Sequence, residues 1–229
     1  KERFIFYRGL ADFTVPLNVT TTDKLLTISN SSIQTVNDAF VLRLNKGQGR
    51  IYNAGKVPAN TSVQVSLSEM VKLPSYSVNE YMEHAASEIK KALIRDGLFE
   101  DEAKAMVNTW KKSYFTTEGL RVLYVLPRKW TDDLLPITIT PQPQGLVRTL
   151  VGRVEVLTPS MEQDIVEFAK EQIGKSLLPS FAVNGRSIEG LGHFPEPKLR
   201  RANQLISDFS LSVKIQEFIM DMNRNPLFR

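Results

Sequence analysis

Apolar side chains recur at every second position through residues 1–68 and at helical spacing from Ser77 onward. An extended chain turns alternate side chains to one face, whereas a helix gathers every third or fourth, so the switch of period marks strands first and helices later. Val15, Leu17 and Val19 alternate with Thr14, Asn18 and Thr20; Leu26 and Ile28, then Phe40, Leu42 and Leu44, then Val63, Val65 and Leu67 repeat the pattern. Turn signals separate these runs at Asn30-Ser-Ser, Asn45-Lys-Gly-Gln-Gly49 and Val57-Pro-Ala-Asn-Thr-Ser62. Six short strands at spacings of about ten residues predict a two-layer β-sandwich module over residues 1–72.

At Ser77-Val-Asn-Glu80 a capping box opens a helix, in which the serine serves the first-turn amides and the glutamate reaches back. Val78, Tyr81, Met82, Ala85, Ile89 and Leu93 form its apolar stripe, and Gly97 stops it. A second helix follows the acidic turn Glu100-Asp-Glu102, with Ala103, Met106, Val107, Trp110 and Tyr114 inward; the short link predicts an αα-hairpin. The nearly continuous apolar run Gly119–Leu126 suits a strand buried on both faces. Four prolines between Pro127 and Gln144 predict an edge strand or extended loop around Ile137–Thr140. Leu146–Leu157 reads as a further strand, and the strands of 119–157 either pair with one another or extend the sandwich. Thr158-Pro159 opens a helix with Met161, Ile165, Phe168, Ala169 and Ile173 inward and Gly174 at its end. A loop at 175–195 and helices near 196–208 and 211–223 complete an α+β chain. The expected organisation is an immunoglobulin-like sandwich at 1–72 and a mixed α+β lobe at 73–229 packed against it.

Composition narrows the function classes. The net charge of +4 comes from 29 Lys+Arg against 25 Asp+Glu, with both signs interspersed. The basic pairs Lys90-Lys91, Lys111-Lys112 and Arg128-Lys129 and the run Lys198-Leu-Arg-Arg201 read as solvated faces rather than a nucleic-acid patch. With no cysteine there is no disulfide framework and no thiolate nucleophile. No apolar run approaches the roughly 18 residues of a membrane span. The chain begins with Lys1 rather than Met, as expected of a processed product or a piece of something longer.

Constellations for chemistry are sparse. His84 has Glu80 and Glu88 one turn away on either side, and His193 is the other histidine of the two; a zinc site needs three or four ligands, so His84 is expected to pack on its helix face. Asp132-Asp133, Glu155 and Glu69 are candidate carboxylates for a hydrolase, which needs a pair roughly 5 to 9.5 Å apart across a cleft. No Gly-x-Ser-x-Gly elbow occurs, and Gly145, Gly152 and Gly174 fit no phosphate-cradling spacing. The expectation is therefore no catalytic residue, no metal site and no cofactor, and the sequence names no small-molecule ligand. Trp130, after Pro127-Arg128-Lys129 in a proline-bounded segment, suggests a partner-binding loop at 127–136 built on Arg128, Lys129 and Trp130. The competing reading folds Trp130 back onto its own domain; Trp110, on a helical stripe, belongs to the core.

The order LLTISNSSIQTVNDAFVLRL and GRIYNAGKVPANTSVQVSL resembles bacterial immunoglobulin-like or fibronectin-like modules, with Asn60 where a glycine is usual. The stretch EDEAKAMVNTWKKSYFTTEGLRVLYVLPRKWTDDLLPITITPQPQGLVRTLVGRVEVLTP is similar to a segment of uncharacterised secreted bacterial proteins, as are FIFYRGL near the start and LGHFPEPKLRR near the end. That resemblance implies an extracytoplasmic setting, in the periplasm, at the outer surface or secreted, and a missing N-terminal part. It implies no chemistry. The resulting expectation is a non-enzymatic binding or structural module of a larger envelope protein or assembly, with a protein partner, no nucleic acid and no membrane span. Its competitor is a hydrolase of an envelope polymer with acidic residues in a cleft between lobes.

Overall fold

The computed structural model describes residues 15–174, Leu191 and 195–224, and its internal contacts gather the chain into two compact units, 1–156 and 157–229. The fold is α+β. The first unit runs β1 (Leu17–Thr21), β2 (Leu25–Asn30), β3 (Val36–Asn45), β4 (Gln48–Val57), β5 (Thr61–Ser66), α1 (Leu67–Met70), β6 (Tyr76–Ser77), α2 (Val78–Arg95), α3 (Glu100–Phe115), β7 (Gly119–Val125), α4 (Arg128–Leu134) and β8 (Val151–Val156). Two antiparallel sheets result, ordered β1-β2-β5 and β6-β4-β3-β7-β8.

Alternation sets which face each strand buries. Phe40, Leu42 and Leu44 of β3, with Leu123 and Val125 of β7, share one core with Tyr81, Ala85, Ile89 and Leu93 of α2 and Ala103, Val107 and Trp110 of α3. Ala39 and Val41 are buried too and, one residue out of phase, face the other side of the sheet. There β2 and β5 contact β4, and β1 contacts β8, so the fully buried Leu26 and Ile28 line the layer between the sheets. The unit is sheet, sheet and helix pair. Its central strands β3 and β7 are buried on both faces, as the continuous apolar run at 119–126 predicts.

The chain punctuates itself with short-range chemistry. Lys46 (φ 50°) and Gly47 (φ 70°) form the two-residue turn of the β3–β4 hairpin, which needs positive φ at both positions. Asn60 takes the left-handed conformation at φ 53°, the freedom for which it replaces glycine. Glu80 closes the start of α2, accepting from the Ser77 N–H at 3.0 Å and the Ser77 hydroxyl at 2.7 Å. Gly49 is bare because Tyr81 lies on it: a Cβ there would sit 2.1 Å from the ring's Cγ.

Several expectations change. The boundary at residue 72 runs through a continuous sheet, because β7 and β8 complete the one that β3 and β4 begin; the contacts divide the chain after Val156. Both ways of placing the 119–157 strands hold at once, since β7 pairs with β3 and with β8. Five strands precede residue 68 among the described residues, and Leu67 starts α1; residues 1–14, with FIFYRGL, lie outside the described residues. The segment after Pro127 is helical for seven residues, because all four prolines fall outside 128–135 and two i,i+4 ion pairs support the turn.

The second unit is helical. Thr158 caps α5 (Pro159–Phe168), its hydroxyl accepting from the Met161 N–H at 3.3 Å; a π-helical segment, Ala169–Gly174, continues it. Helices α6 (Pro195–Leu205) and α7 (Phe209–Arg224) follow. Ile165, Ala169 and Ile173 pack with Leu199 and Ala202 of α6 and with Leu211, Ile215, Phe218, Ile219 and Met222 of α7. The Lys214 ammonium donates to the Gly174 carbonyl at 2.9 Å, closing the π-helical end. The loop expected at 175–195 lies, but for Leu191 and Pro195, outside the described residues.

Candidate binding surface and a buried arginine cluster

The structure sends Arg128, Lys129 and Trp130 in three directions. Trp130, on the first turn of α4, is buried, only 7% exposed. Lys129 points outward and pairs with Asp133 at 2.8 Å. Arg128 stays half-exposed; its Nε donates to Asp132 Oδ2 at 2.7 Å and its Nη1 to the Leu146 carbonyl at 2.7 Å. The tryptophan therefore anchors a helix that presents Arg128 to the segment 146–149.

That segment is where three parts of the first unit meet. Arg148 donates to Asp132 Oδ1 at 3.0 Å and to the Leu135 carbonyl at 2.5 Å, so Asp132 holds two guanidinium groups. Hydrogen bonds from Arg128 first, and from Arg148, keep the Asp132 carboxyl below the usual carboxylate range. The Thr149 hydroxyl donates to Asp96 Oδ2 at 2.7 Å, and Arg95 pairs with Asp38 at 2.5 Å. Asp96 titrates above its ordinary value, chiefly through burial and also through the charge of Asp38, against the opposing effect of the Thr149 hydrogen bond. Val147 lies over Gly97, whose φ of 113° and lack of a side chain let the α2–α3 turn approach it; a Cβ there would sit 3.3 Å from Val147 Cγ1.

On this ionic base stands an apolar corner. Phe99 is 76% exposed and Val147 52%, and Ile94 and Leu146 also show more than a third of their surface. Phe99, Glu100, Asp101, Glu102 and Lys104 line a shallow, open depression at the start of α3. Glu102 accepts from the Phe99 N–H at 2.8 Å, fixing the aromatic residue's backbone at the helix entry. Sequence reasoning missed Phe99 and Val147. The available signal was Leu98-Phe99 between a helix stop and an acidic turn, where one residue of an apolar pair turns inward and the other out.

A second polar cluster lies under α3, on the helix-facing side of the sheet. Arg121 is fully buried and donates to the carbonyls of Tyr114 at 2.7 Å, Thr117 at 2.6 Å and Glu118 at 3.1 Å, just where α3 ends. Its Nε lies 3.2 Å from Glu155, its cross-strand partner in register, and Arg153 reaches the same carboxylate oxygen at 2.6 Å. The Arg153 guanidinium also sits 4.6 Å from the centre of the Tyr114 ring. Burial lowers the Arg121 pKa, with Glu155 opposing. Burial also pushes the Tyr81 hydroxyl well above its ordinary range, and that of Tyr124 up to about 12. A guanidinium that satisfies the carbonyls at a helix end is structural by geometry.

The remaining candidates are occupied by neighbours. The His84 ring packs against Tyr76 with centroids 5.1 Å apart, while Glu80 serves Ser77 and Glu88 pairs with Lys91 at 2.6 Å. Among the described residues no group of three or more His, Asp or Glu side chains is placed to hold a metal ion; His193 lies outside them. Glu69 pairs with Lys72 at 2.7 Å. The basic runs are likewise interleaved with acids, through Lys90–Glu100, Lys111–Glu83, Arg200–Glu196 and Arg201–Glu162. Among the described residues no helix is long and apolar enough to cross a membrane. No family model, no curated protein and no solved structure matches the chain.

Proposed function

We propose that this chain is a non-enzymatic extracytoplasmic binding or structural module, part of a larger cell-envelope protein or assembly, and that it meets a protein partner at the Phe99–Val147 corner. The observation that carries the reading is that exposed aromatic and aliphatic side chains stand on backbone held by hydrogen bonds to charged side chains. Phe99 is fixed by Glu102, and the segment bearing Leu146 and Val147 is tied to Arg128, Asp132 and Asp96. Apolar anchors that are ordered before binding lose little freedom when a partner arrives, which is the setting of interface hot spots. The sandwich architecture and the resemblance to secreted bacterial proteins support the envelope setting. Of the three residues read from the sequence, Arg128 belongs to this surface, Lys129 flanks it, and Trp130 is buried in the same helix.

The hydrolase is the competing reading. The observation in its favour is Asp96, a carboxyl with a raised pKa and a second carboxylate, Asp38, close enough to influence it. Against it stands the engagement of both groups, Asp38 by Arg95 and Asp96 by Thr149.

A photo-crosslinking residue at position 99 of the full chain, presented to envelope fractions, tests the proposal, with the equally exposed Ile33 as control position. One discrete protein adduct at 99 and none at 33 is expected. Equal labelling at both positions, or none, refutes the corner. Turnover of an envelope polymer that is abolished by Asp96→Asn replaces the binding reading with the hydrolase.

A further inference from the structure

Between α4 and β8 the chain runs through residues 135–150 without helix or strand. Over 136–147 every residue but Ile139 is exposed, so this strap has little apolar burial to hold it in place. Polar groups hold it instead, and they gather at its downstream end. Arg128 donates to the Leu146 carbonyl, Arg148 to Asp132 and to the Leu135 carbonyl, and Thr149 to Asp96. The foot of the strap is Leu150, whose carbonyl accepts from the Leu126 N–H at 2.8 Å. A segment with exposed side chains and few apolar contacts is where a fold opens locally at small cost.

Of these ties, the one through Asp96 depends on a proton. Asp96 is the half-buried C-cap of α2, where the negative end of the helix dipole opposes a carboxylate. Thr149 lies on it, and Val147 lies on the neighbouring Gly97. The charged groups that bear on it are Asp38 of β3, itself paired with Arg95 of α2, and Arg128 of α4. Burial first, and then Asp38, oppose its ionisation; the Thr149 hydrogen bond and Arg128 favour it, and the balance is a raised pKa. We propose that residues 146–149 form a clasp set by acidity: with Asp96 neutral they are held on the α2–α3 turn, and once Asp96 gives up its proton they lift from it. Lifting takes Thr149 and Val147 away and lets water reach the carboxylate. The held state binds the proton more tightly than the lifted one, so the ratio of lifted to held chains rises with pH through the raised value. Asp132, depressed by its two arginines, stays charged from the ordinary carboxylate value to neutrality, so the ties of Arg128 and Arg148 to it are constant over that range. One consequence rests on the binding reading above: the clasp sets how ordered Leu146 and Val147 are when a partner arrives, and capture is stronger in acid.

Because the chain has no cysteine, one introduced thiol can carry a spin label. The full chain with Leu146→Cys is labelled and its spectrum compared at about pH 4.5 and about pH 7.5, on either side of the expected transition. The ratio of mobile to immobilised label is expected to rise about threefold or more with pH. Adding Asp96→Asn should hold that ratio at its acid value throughout, with an unchanged far-UV spectrum showing that the fold survives. A label at Ile33→Cys, exposed elsewhere in the unit, should not respond. A ratio at 146 that is flat, that falls with pH, or that rises equally in Asp96→Asn overturns the clasp. The measurement needs no partner, so the two readings fail separately. A label at 146 that responds while position 99 captures nothing sinks the binding reading alone, and capture at 99 beside an unresponsive 146 sinks the clasp alone.

Discussion

Arg121 and Arg128 place the same guanidinium in opposite settings within one unit. Arg121 is sealed between sheet and helix, answering three carbonyls and one carboxylate; Arg128 lies half in water, tied to Asp132 and to a single carbonyl. Burial makes removal of the first leave groups that nothing else can satisfy, whereas water replaces the second. The comparison separates polar residues that hold the fold from those that shape a surface, a distinction that residue type alone does not draw.

The sharpest way to break that contrast is Arg121→Ala. It takes one of the two guanidinium groups from Glu155 and orphans the carbonyls at the end of α3 in a closed site, so a loss of about 3–5 kcal/mol in urea unfolding is expected. A loss below about 1 kcal/mol would mean that the cluster admits water and that Arg121 is not a structural residue. Gly49→Ala comes next. Its Cβ would meet the Tyr81 ring at 2.1 Å, beside the same cluster, and neither the strand nor the buried ring has room to yield. An overpacking loss of about 1–3 kcal/mol is expected from the same measurement. Arg128→Ala should cost less than about 1 kcal/mol, because exposed ion pairs contribute little to stability. It should instead slow capture of the partner crosslinked at position 99, an effect that shrinks as salt is raised.

The difference between these regions also marks how far the sequence could be read. Strand alternation, the helix stripes and the buried β7 run were legible because each is a local consequence of period. The sheet that joins β3 and β4 to β7 and β8 was not, since pairing over some eighty residues leaves no local trace; only the choice between two open options was visible. Pro127 and Pro136 misdirected the reading of α4, because prolines outside a helix look the same in sequence as prolines that prevent one. Of the residues named from the sequence, Arg128 lies half-exposed, while Trp130 is buried as the competing reading had it, an amphipathic neighbourhood being common to interface and core tryptophans. Phe99 and Val147 escaped because exposure is set by what the α2–α3 turn leaves uncovered. Arg121 escaped for the converse reason: an arginine inside a β-rich apolar run reads as an outward residue until the carbonyls it answers are in place.

Asp96 provides the finest test of the half-open corner, and its sign is opposite to that of Asp132. Burial and Asp38 raise the Asp96 pKa in the folded chain above its unfolded value, so the folded state binds the proton more tightly. Stability therefore falls as pH rises from the ordinary carboxylate value through the raised one, and the cost persists at neutral pH. Asp132 is depressed by Arg128 and Arg148, so its contribution is present above the ordinary carboxylate value and is lost as pH falls through the depressed one. Asp96→Asn keeps an oxygen for the Thr149 hydroxyl and removes the charge. At pH 7 it should equal or exceed the wild type by less than about 1 kcal/mol, a figure held down by solvent screening of a half-buried group. That advantage should shrink as the buffer is taken below the raised Asp96 pKa, where the wild-type carboxyl carries the proton itself. A variant less stable than the wild type at pH 7 would show that the ionised carboxylate is wanted by Arg128 more than burial resists it, and the corner would then be an ion-pair network like the one around Arg121.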